Sequence, residues 1–433
     1  MRAVLASSWA LLLGMLLLQV GNGLQGSLMG VRGAIEGFST FQLSLIASAY
    51  FVGFLGGSKL APLFIARVGH VRVFAALGAL ISAVLLAYPV VTDPYAWMLF
   101  RVMIGFSLCG VYVTAESWLN NAATNQTRGQ ALSAYVIVQM VGIVAAQGIL
   151  SMGDPSGFIL FIIPSILVSL AFAPILLSVS PTPAFEATRS MSVRELYRKS
   201  PLGVVGLFLL GGVFAGQFAM AAVYATEADL SLQQLSAFVS SFFIGAIVLQ
   251  YPIGWLSDRM DRRILICGAS GLAGVVAVVG WFFGDIYSVL LVTAVFSGGL
   301  AQPLYALLLA YTNDYLEPQD MAAASGGLLF ANGLGSVIGP VAIGLAMAEV
   351  GPGGFWLVMA ILLFATSGYA AWRMTQRQSA YSAEDDYDAV SYPAIMAGAS
   401  VVVMEAAQEA YVDAAEEMAE AAAEEEIRSN NQS

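Results

Sequence analysis

Histidine is almost missing from this chain: His70 is the single one in 433 residues. Histidine-based catalysis and histidine metal sites are thereby nearly excluded. Cysteine is almost as scarce. Cys109 and Cys267 both lie inside apolar runs, at no metal-ligand spacing, and read as buried free thiols. No metal, cofactor or catalytic residue is therefore expected. Charge is scarce too: Asp, Glu, Lys and Arg make up 10% of the residues, against roughly 25% in soluble domains. That is too little for a water-facing surface. Basic residues are outnumbered 17 to 28 by acidic ones, and no nucleic-acid partner is expected. GFLGGSK at 53–59 lacks the Gly-Lys-Ser/Thr of a phosphate loop.

What the chain has instead is apolar length. It is 59% hydrophobic, with a mean hydropathy of +0.80. Runs of about 20 residues recur, each long enough at about 1.5 Å per residue to cross a hydrocarbon core of about 30 Å. The alternation of a membrane β-barrel is absent. The expected fold is an all-α polytopic membrane protein. Its twelve transmembrane helices fall near 9–31, 42–66, 71–90, 95–117, 130–151, 157–179, 203–226, 233–256, 264–283, 287–312, 323–347 and 354–373. The first run extends past the length of a signal-peptide core and shows no clear cleavage site, so it reads as a membrane helix.

Basic residues orient the bundle. With the N-terminus in the cytoplasm, fourteen Arg and Lys fall on cytoplasmic segments, and the outer loops carry only Arg32. Lys59 and Arg101 fall within helices; Lys59 reads as snorkelling to the inner interface. Both termini are then cytoplasmic. The domains read as a six-helix bundle over 1–180, a cytoplasmic central loop over 181–202, a second six-helix bundle over 203–375 and an acidic tail over 376–433. The tail holds thirteen acids and two bases, and accounts for the whole net charge of −11. It reads as disordered or as a solvated helix.

The two bundles repeat each other. Shifted by 192 residues, QLSLIASAYFVG at 42–53 falls on QLSAFVSSFFIG at 234–245, with six of twelve positions identical. The same shift puts Arg67 on Arg259. Two parallel halves are a transporter signature. With this topology, over about residues 5–375, the chain resembles the major facilitator superfamily. That family carries a loop G-x-x-x-D-R-x-G-R-R between helices 2 and 3, and a weaker copy between helices 8 and 9. Here the second copy is the better one: Gly254, Asp258, Arg259, Arg262 and Arg263, with Asp261 at the usual glycine. The first copy keeps Arg67, Gly69, His70 and Arg72, while Pro62 and Ala66 replace its Gly and Asp. Arg101 and Gly105 match the family's helix 4 motif, and YVTAESWLNN after it is similar to the YcaD-type branch of bacterial members. The Gly-Pro pattern of antiporters is missing from helix 5, and a similar GSVIGPVAIG lies on helix 11.

The resemblance implies a central cavity lined by helices 1, 4, 7 and 10, and transport by alternating access. It implies a coupling role for Arg101, against which stands a structural arginine satisfied by carbonyl groups. On those helices the residues able to line a cavity are Gln19, Asn22, Gln25, Arg101, Tyr112, Gln217, Tyr224, Gln302 and Tyr305, with Tyr311 beyond. The helix 1 trio, spaced by three, clusters on one side. Uncharged polar groups beside aromatics suit a neutral or amphipathic small-molecule substrate, although each could equally bond helix to helix. Ionisable groups in a membrane helix are costly and usually functional. Glu116 lies fifteen residues after Arg101, about 60° around the axis, on the same face. It reads either as a proton-carrying site paired in function with Arg101, or as an interfacial acid paired with Arg128.

The resemblance also places the helix 8–9 turn beneath the start of helix 5 when the inner side is closed. Asp258 would cap that helix near Arg128, with Arg259, Arg262 and Arg263 anchoring the turn; Arg67, Gly69 and Arg72 form the weaker first gate. The leading function is a secondary transporter of a small organic solute, coupled to protons or another ion, and monomeric in the lipid bilayer. The alternatives are a non-transporting sensor whose tail binds a partner, which deletion of 380–433 would distinguish, and an intramembrane lipid-modifying enzyme, which would need an interfacial His or carboxylate cluster.

Overall fold

Long apolar runs with sparse polar punctuation fold here into helices throughout. The computed structural model describes residues 2–122, 125–177, 191–376, 392–393, 395 and 400–432. Arg189, the EDDYD stretch and Arg377 lie outside them. Among the described residues there is no strand. The first half comprises α1 (Arg2–Ile35), α2 (Thr40–Val68), α3 (His70–Ala87), α4 (Pro94–Ala122), α5 (Asn125–Met152) and α6 (Ile159–Leu177). A short helix, α7 (Val193–Lys199), is started by a Ser192–Glu195 capping box. The second half comprises α8 (Pro201–Ala215), α9 (Ala221–Glu227), α10 (Leu232–Ser257), α11 (Arg262–Phe283), α12 (Tyr287–Ala301), α13 (Pro303–Asn313), α14 (Pro318–Val350) and α15 (Gly354–Gln376). The tail forms α16 (Val401–Gln432).

Eleven of these spans are long and apolar enough to cross a membrane. α6 stands where the sixth crossing is expected, with a shorter apolar stretch over Ile159–Pro174. Two spans are composite. α8 and α9 are joined by a π turn over Gly216–Met220, and such turns often mark functional sites. α12 and α13 divide at Gln302, because Pro303 has no N–H to continue the ladder. His70, expected in a loop, is instead the buried first residue of α3, its ring 6.4 Å from Trp118.

The repeat seen in the sequence is also a repeat of packing. Ser39 and Gln42 form a capping box at the start of α2; Ser231 and Gln234, 192 residues on, form the same box on α10. Gly53 lets α2 lie against α4 so closely that a Cβ there would sit 2.0 Å from the Val102 carbonyl oxygen. At Gly245 on α10 a Cβ would sit 1.9 Å from the Val295 oxygen of α12. Gly105 approaches the Tyr50 oxygen, and Gly298 the Phe242 oxygen, in the same way. Gly105 of the helix 4 motif is thus a packing residue. Small residues are what let helices touch where lipid offers no hydrophobic drive between them. Large apolar side chains such as Leu99, Val248, Phe282 and Ile361 stay more than half exposed around the outside, as a lipid-facing belt requires.

The halves meet through α1 with α9, α2 with α14 and α5 with α10. Near the α1–α2 and α9–α10 loops this seam is closed. Thr40 donates to Glu227 at 2.7 Å, and Ser48 to the Val337 carbonyl at 2.6 Å. Tyr50 faces Phe218 with ring centres 5.9 Å apart, and Phe51 faces Phe214 at 6.4 Å. At the opposite end, which bears the α4–α5 and α10–α11 connections, α16 packs on α4, α5 and α14. Residues 403, 404, 406–408 and 411 are buried there. The tail is therefore not a wholly solvated appendage.

Candidate functional site

Between the halves lies a cavity walled by side chains of both bundles. α1 contributes Gln19 and Asn22, α4 Tyr112 and α5 Gln139. α2 supplies Tyr50, Phe51, Phe54 and Leu55, and the second half Phe214, Phe218, Leu329, Asn332, Gly333 and Ser336. Among the described residues no carboxylate or cation lines it; the walls are aromatic, with amides and hydroxyls set between.

The polar wall is one network. Tyr112 donates to Gln19 Oε1 at 2.6 Å and accepts from Asn22 Nδ2 at 3.2 Å. Gln19 Nε2 reaches Gln139 Oε1 at 3.4 Å. The spacing of three on α1 continues the network behind the cavity, where Gln25 donates to Tyr88 at 3.3 Å and accepts from Arg101 at 2.5 Å. Arg101 is 1% exposed, lies 4.9 Å from the Tyr50 ring centre and has no ion-pair partner among the described residues. Its Nε and the Asn22 Oδ1 have no hydrogen-bond partner among them either. An amide oxygen left open on a cavity wall is an acceptor available to a bound solute.

Other expected lining residues sit elsewhere. Gln217, buried in the π turn, donates to Ser297 at 3.3 Å and accepts from Gln302 at 3.1 Å, so this pair ties the two composite spans together. Tyr224 packs among Phe238, Phe355 and Trp356. Tyr305 is buried, with its hydroxyl 3.5 Å from Met404 of α16. Tyr311 stacks edge-on with Tyr315. Gln217, Gln302 and Tyr305 thus bond one element to another, the other role open to them from sequence. Conversely, the contributions of α2 and α14 were not foreseen. Asn332 and Ser336, four apart in an apolar run, were the available signal.

Glu116 is 2% exposed, and Arg128 is not its partner. The Tyr135 hydroxyl donates to it at 2.6 Å, and the Ser400 hydroxyl from α16 donates to its other oxygen. It has no ion pair among the described residues. Along α4 it stands about 22 Å from Arg101. Arg128 instead binds Asn120 at 3.0 Å, Asp413 at 3.1 Å and Glu409 at 3.3 Å.

The charged turn is also rearranged relative to expectation. Asp258 ends α10 and lines a crevice with Tyr392, Pro303 and Ala310. The capping acid is Asp261, which accepts from the Arg263 N–H at 2.9 Å as N-cap of α11 and pairs with the Arg263 guanidinium at 2.6 Å. Arg259 lies over Trp255 at 4.3 Å. Arg262 is buried, 1% exposed, against Asp314, whose carboxylate also accepts from Tyr411 at 3.1 Å. Arg67, Gly69 and Arg72 are exposed at the α2–α3 turn. Lys59 lies 4.7 Å from the Phe330 ring centre.

Two pseudo-repeated helix bundles around a central cavity match a known family. The family model of the Major Facilitator Superfamily matches residues 11–239 and 205–394. The chain belongs to the major facilitator superfamily. Among its relatives is the uncharacterized MFS-type transporter YcaD of Salmonella arizonae, 24% identical over 358 residues, covering 82% of this chain and 92% of that protein. An uncharacterized MFS-type transporter of Yersinia pestis is 25% identical over 361 residues, with the same coverages. Among solved structures, a mutant of the nucleoside transporter NupG superposes with a TM-score of 0.71 at 15% identity, over 84% of this chain and 99% of that one. A bacterial homolog of the human lysosomal transporter Spinster, in an inward-facing and unoccupied conformation, superposes with a TM-score of 0.64 at 15% identity, over 94% and 98%. The superfamily chain is a polytopic membrane protein of a transporter family.

Proposed function

We propose that this superfamily member is a secondary active transporter of a small, uncharged or amphipathic organic solute, working by alternating access in a bacterial inner membrane. The observation that carries this reading is the cavity between the halves. Its walls combine aromatic faces with amide and hydroxyl groups, and Asn22 Oδ1 is left open to a ligand. The Arg-rich end of the bundle is its cytoplasmic end, by the excess of basic residues there. The outer seam is closed by Thr40–Glu227 and the Tyr50–Phe218 contact.

Glu116 is the proton-carrying group in this reading. It is a buried carboxyl group held by the Tyr135 and Ser400 hydroxyls, at the inner end of the helix that also places Arg101 and Tyr112. Arg101 supplies a fixed positive charge behind the cavity and orients Gln25. Glu116→Gln keeps the shape and removes the titratable proton. It is expected to abolish uptake driven by a proton gradient while leaving solute exchange largely intact. Unchanged proton-driven uptake in that variant would rule Glu116 out as the carrier.

A further inference from the structure

We propose that α16, from Ser400 to Asp413, is a built-in plug of the inner vestibule, and that transport requires its withdrawal. The helix presents one stripe to the body at positions 400, 404, 408 and 411, the three-to-four spacing of a buried helix face. Ser400 donates to Glu116 on α4. Met404 meets the Tyr305 hydroxyl on α13 at 3.5 Å. Gln408 accepts from Ser325 on α14 at 2.8 Å and donates to Asn313 at 3.4 Å. Tyr411 donates to Asp314 at 3.1 Å. A single helix thus bonds both halves of the protein, which a transporter must move against each other.

The fit is chemical as well as steric. At the start of α16 the Ser400 backbone N–H bonds to the Glu116 carboxyl beside the Ser400 hydroxyl, the sign of partner that a helix N-terminus favours. Glu409 and Asp413, one turn apart on a second face, grip Arg128 at the start of α5. The stripe between them is small: Ala406 and Ala407 are buried where a larger side chain would hold the helix off. Seated this way, α16 covers the carboxyl group that the proposed proton path uses. In that respect the inference rests on the transport reading; the covering of the vestibule does not.

The covering of the vestibule can be tested without solute or gradient. In the full chain with Cys109→Ala and Cys267→Ala, a Ser325→Cys probe lies beneath Gln408. Its rate of reaction with a water-soluble maleimide reports whether the vestibule is covered. The rate is expected to rise at least tenfold with Arg128→Glu. It should return towards the starting value when Glu409→Arg and Asp413→Arg are added, because the pairs are restored with reversed sign. Ala407→Pro, which touches only α16, should accelerate labelling as Arg128→Glu does, and keeps the test decisive if the charge variant misfolds. Equal rates in the parent and the Ala407→Pro chain would overturn the plug. Solute exchange should also quicken in the Ala407→Pro chain. Faster labelling with unchanged exchange would overturn the need for withdrawal. Faster labelling with no transport by any form would count against the transport reading and leave the plug standing.

Discussion

A single methyl group added at Gly53 is expected to force α2 and α4 apart. The Cβ would sit 2.0 Å from the Val102 carbonyl oxygen, on backbone that cannot swing aside as a side chain can. Restoring ordinary contact opens the seam by more than about 1 Å, and overpacking of this kind costs about 1–3 kcal/mol. The better helix propensity of alanine offsets about 0.5–1 kcal/mol of that. Because the repeat copies the packing, Gly245→Ala on α10 should behave alike, with its Cβ 1.9 Å from the Val295 oxygen. Gly268→Ala is the control: nothing lies within 4 Å of its Cβ, so only the propensity gain remains. Thermal unfolding of the purified protein should show Tm falling by roughly 1–3 °C for the first two variants and holding or rising slightly for the third. Gly53→Ala and Gly245→Ala as stable as the parent, or Gly268→Ala equally damaged, would refute the claim that these two seams are matched close-packed contacts.

Two further outcomes follow from the buried polar pairs. Arg262→Met strands the Asp314 carboxylate, 4% exposed, and should cost about 3–5 kcal/mol, whereas Arg262→Met with Asp314→Leu should recover most of it; denaturation of single and double variants reads the difference. Gln302→Leu removes the donor to Gln217 Oε1 and should cost about 1–3 kcal/mol, with the Gln217→Leu/Gln302→Leu pair closer to the parent. A single variant as damaging as its double would show that the pairing is not what matters there.

Much of the architecture was legible because lipid writes a coarse rule into sequence: backbone must bond to itself, so apolar length becomes helix. The expected helix over 130–151 corresponds to Asn125–Met152, and that over 354–373 to Gly354–Gln376. The breaks inside helices 7 and 10 were less visible. A π turn has no composition of its own, and Pro303 stands in an otherwise unbroken apolar run. In the site, the spacing of Gln19, Asn22 and Gln25 correctly announced a polar face on α1, and Tyr112 joins it. Tyr224 and Tyr305 look like Tyr112 in sequence, since a tyrosine on a cavity wall and one packed between helices differ only in their surroundings. The charged turn was legible as a cluster but not as partners. Whether Asp258 or Asp261 caps a helix depends on where the turn ends, and the acid that meets Arg262 comes from Asp314, 52 residues on. The packing of the tail was hidden for a similar reason: its acidic composition suggests solvent, while the buried stripe at 400–411 is brief and rich in alanine.

The most direct test of the transport reading is solute counterflow in proteoliposomes, which requires no knowledge of the coupling ion. A panel of neutral organic solutes is loaded inside and the labelled form supplied outside. The parent protein is expected to give a transient overshoot with at least one solute. Leu329→Trp fills the cavity from α14 without touching the polar network and should abolish that overshoot in protein that still elutes as a folded species. An overshoot of parental size in the Leu329→Trp protein would contradict the placement of the solute path through this cavity.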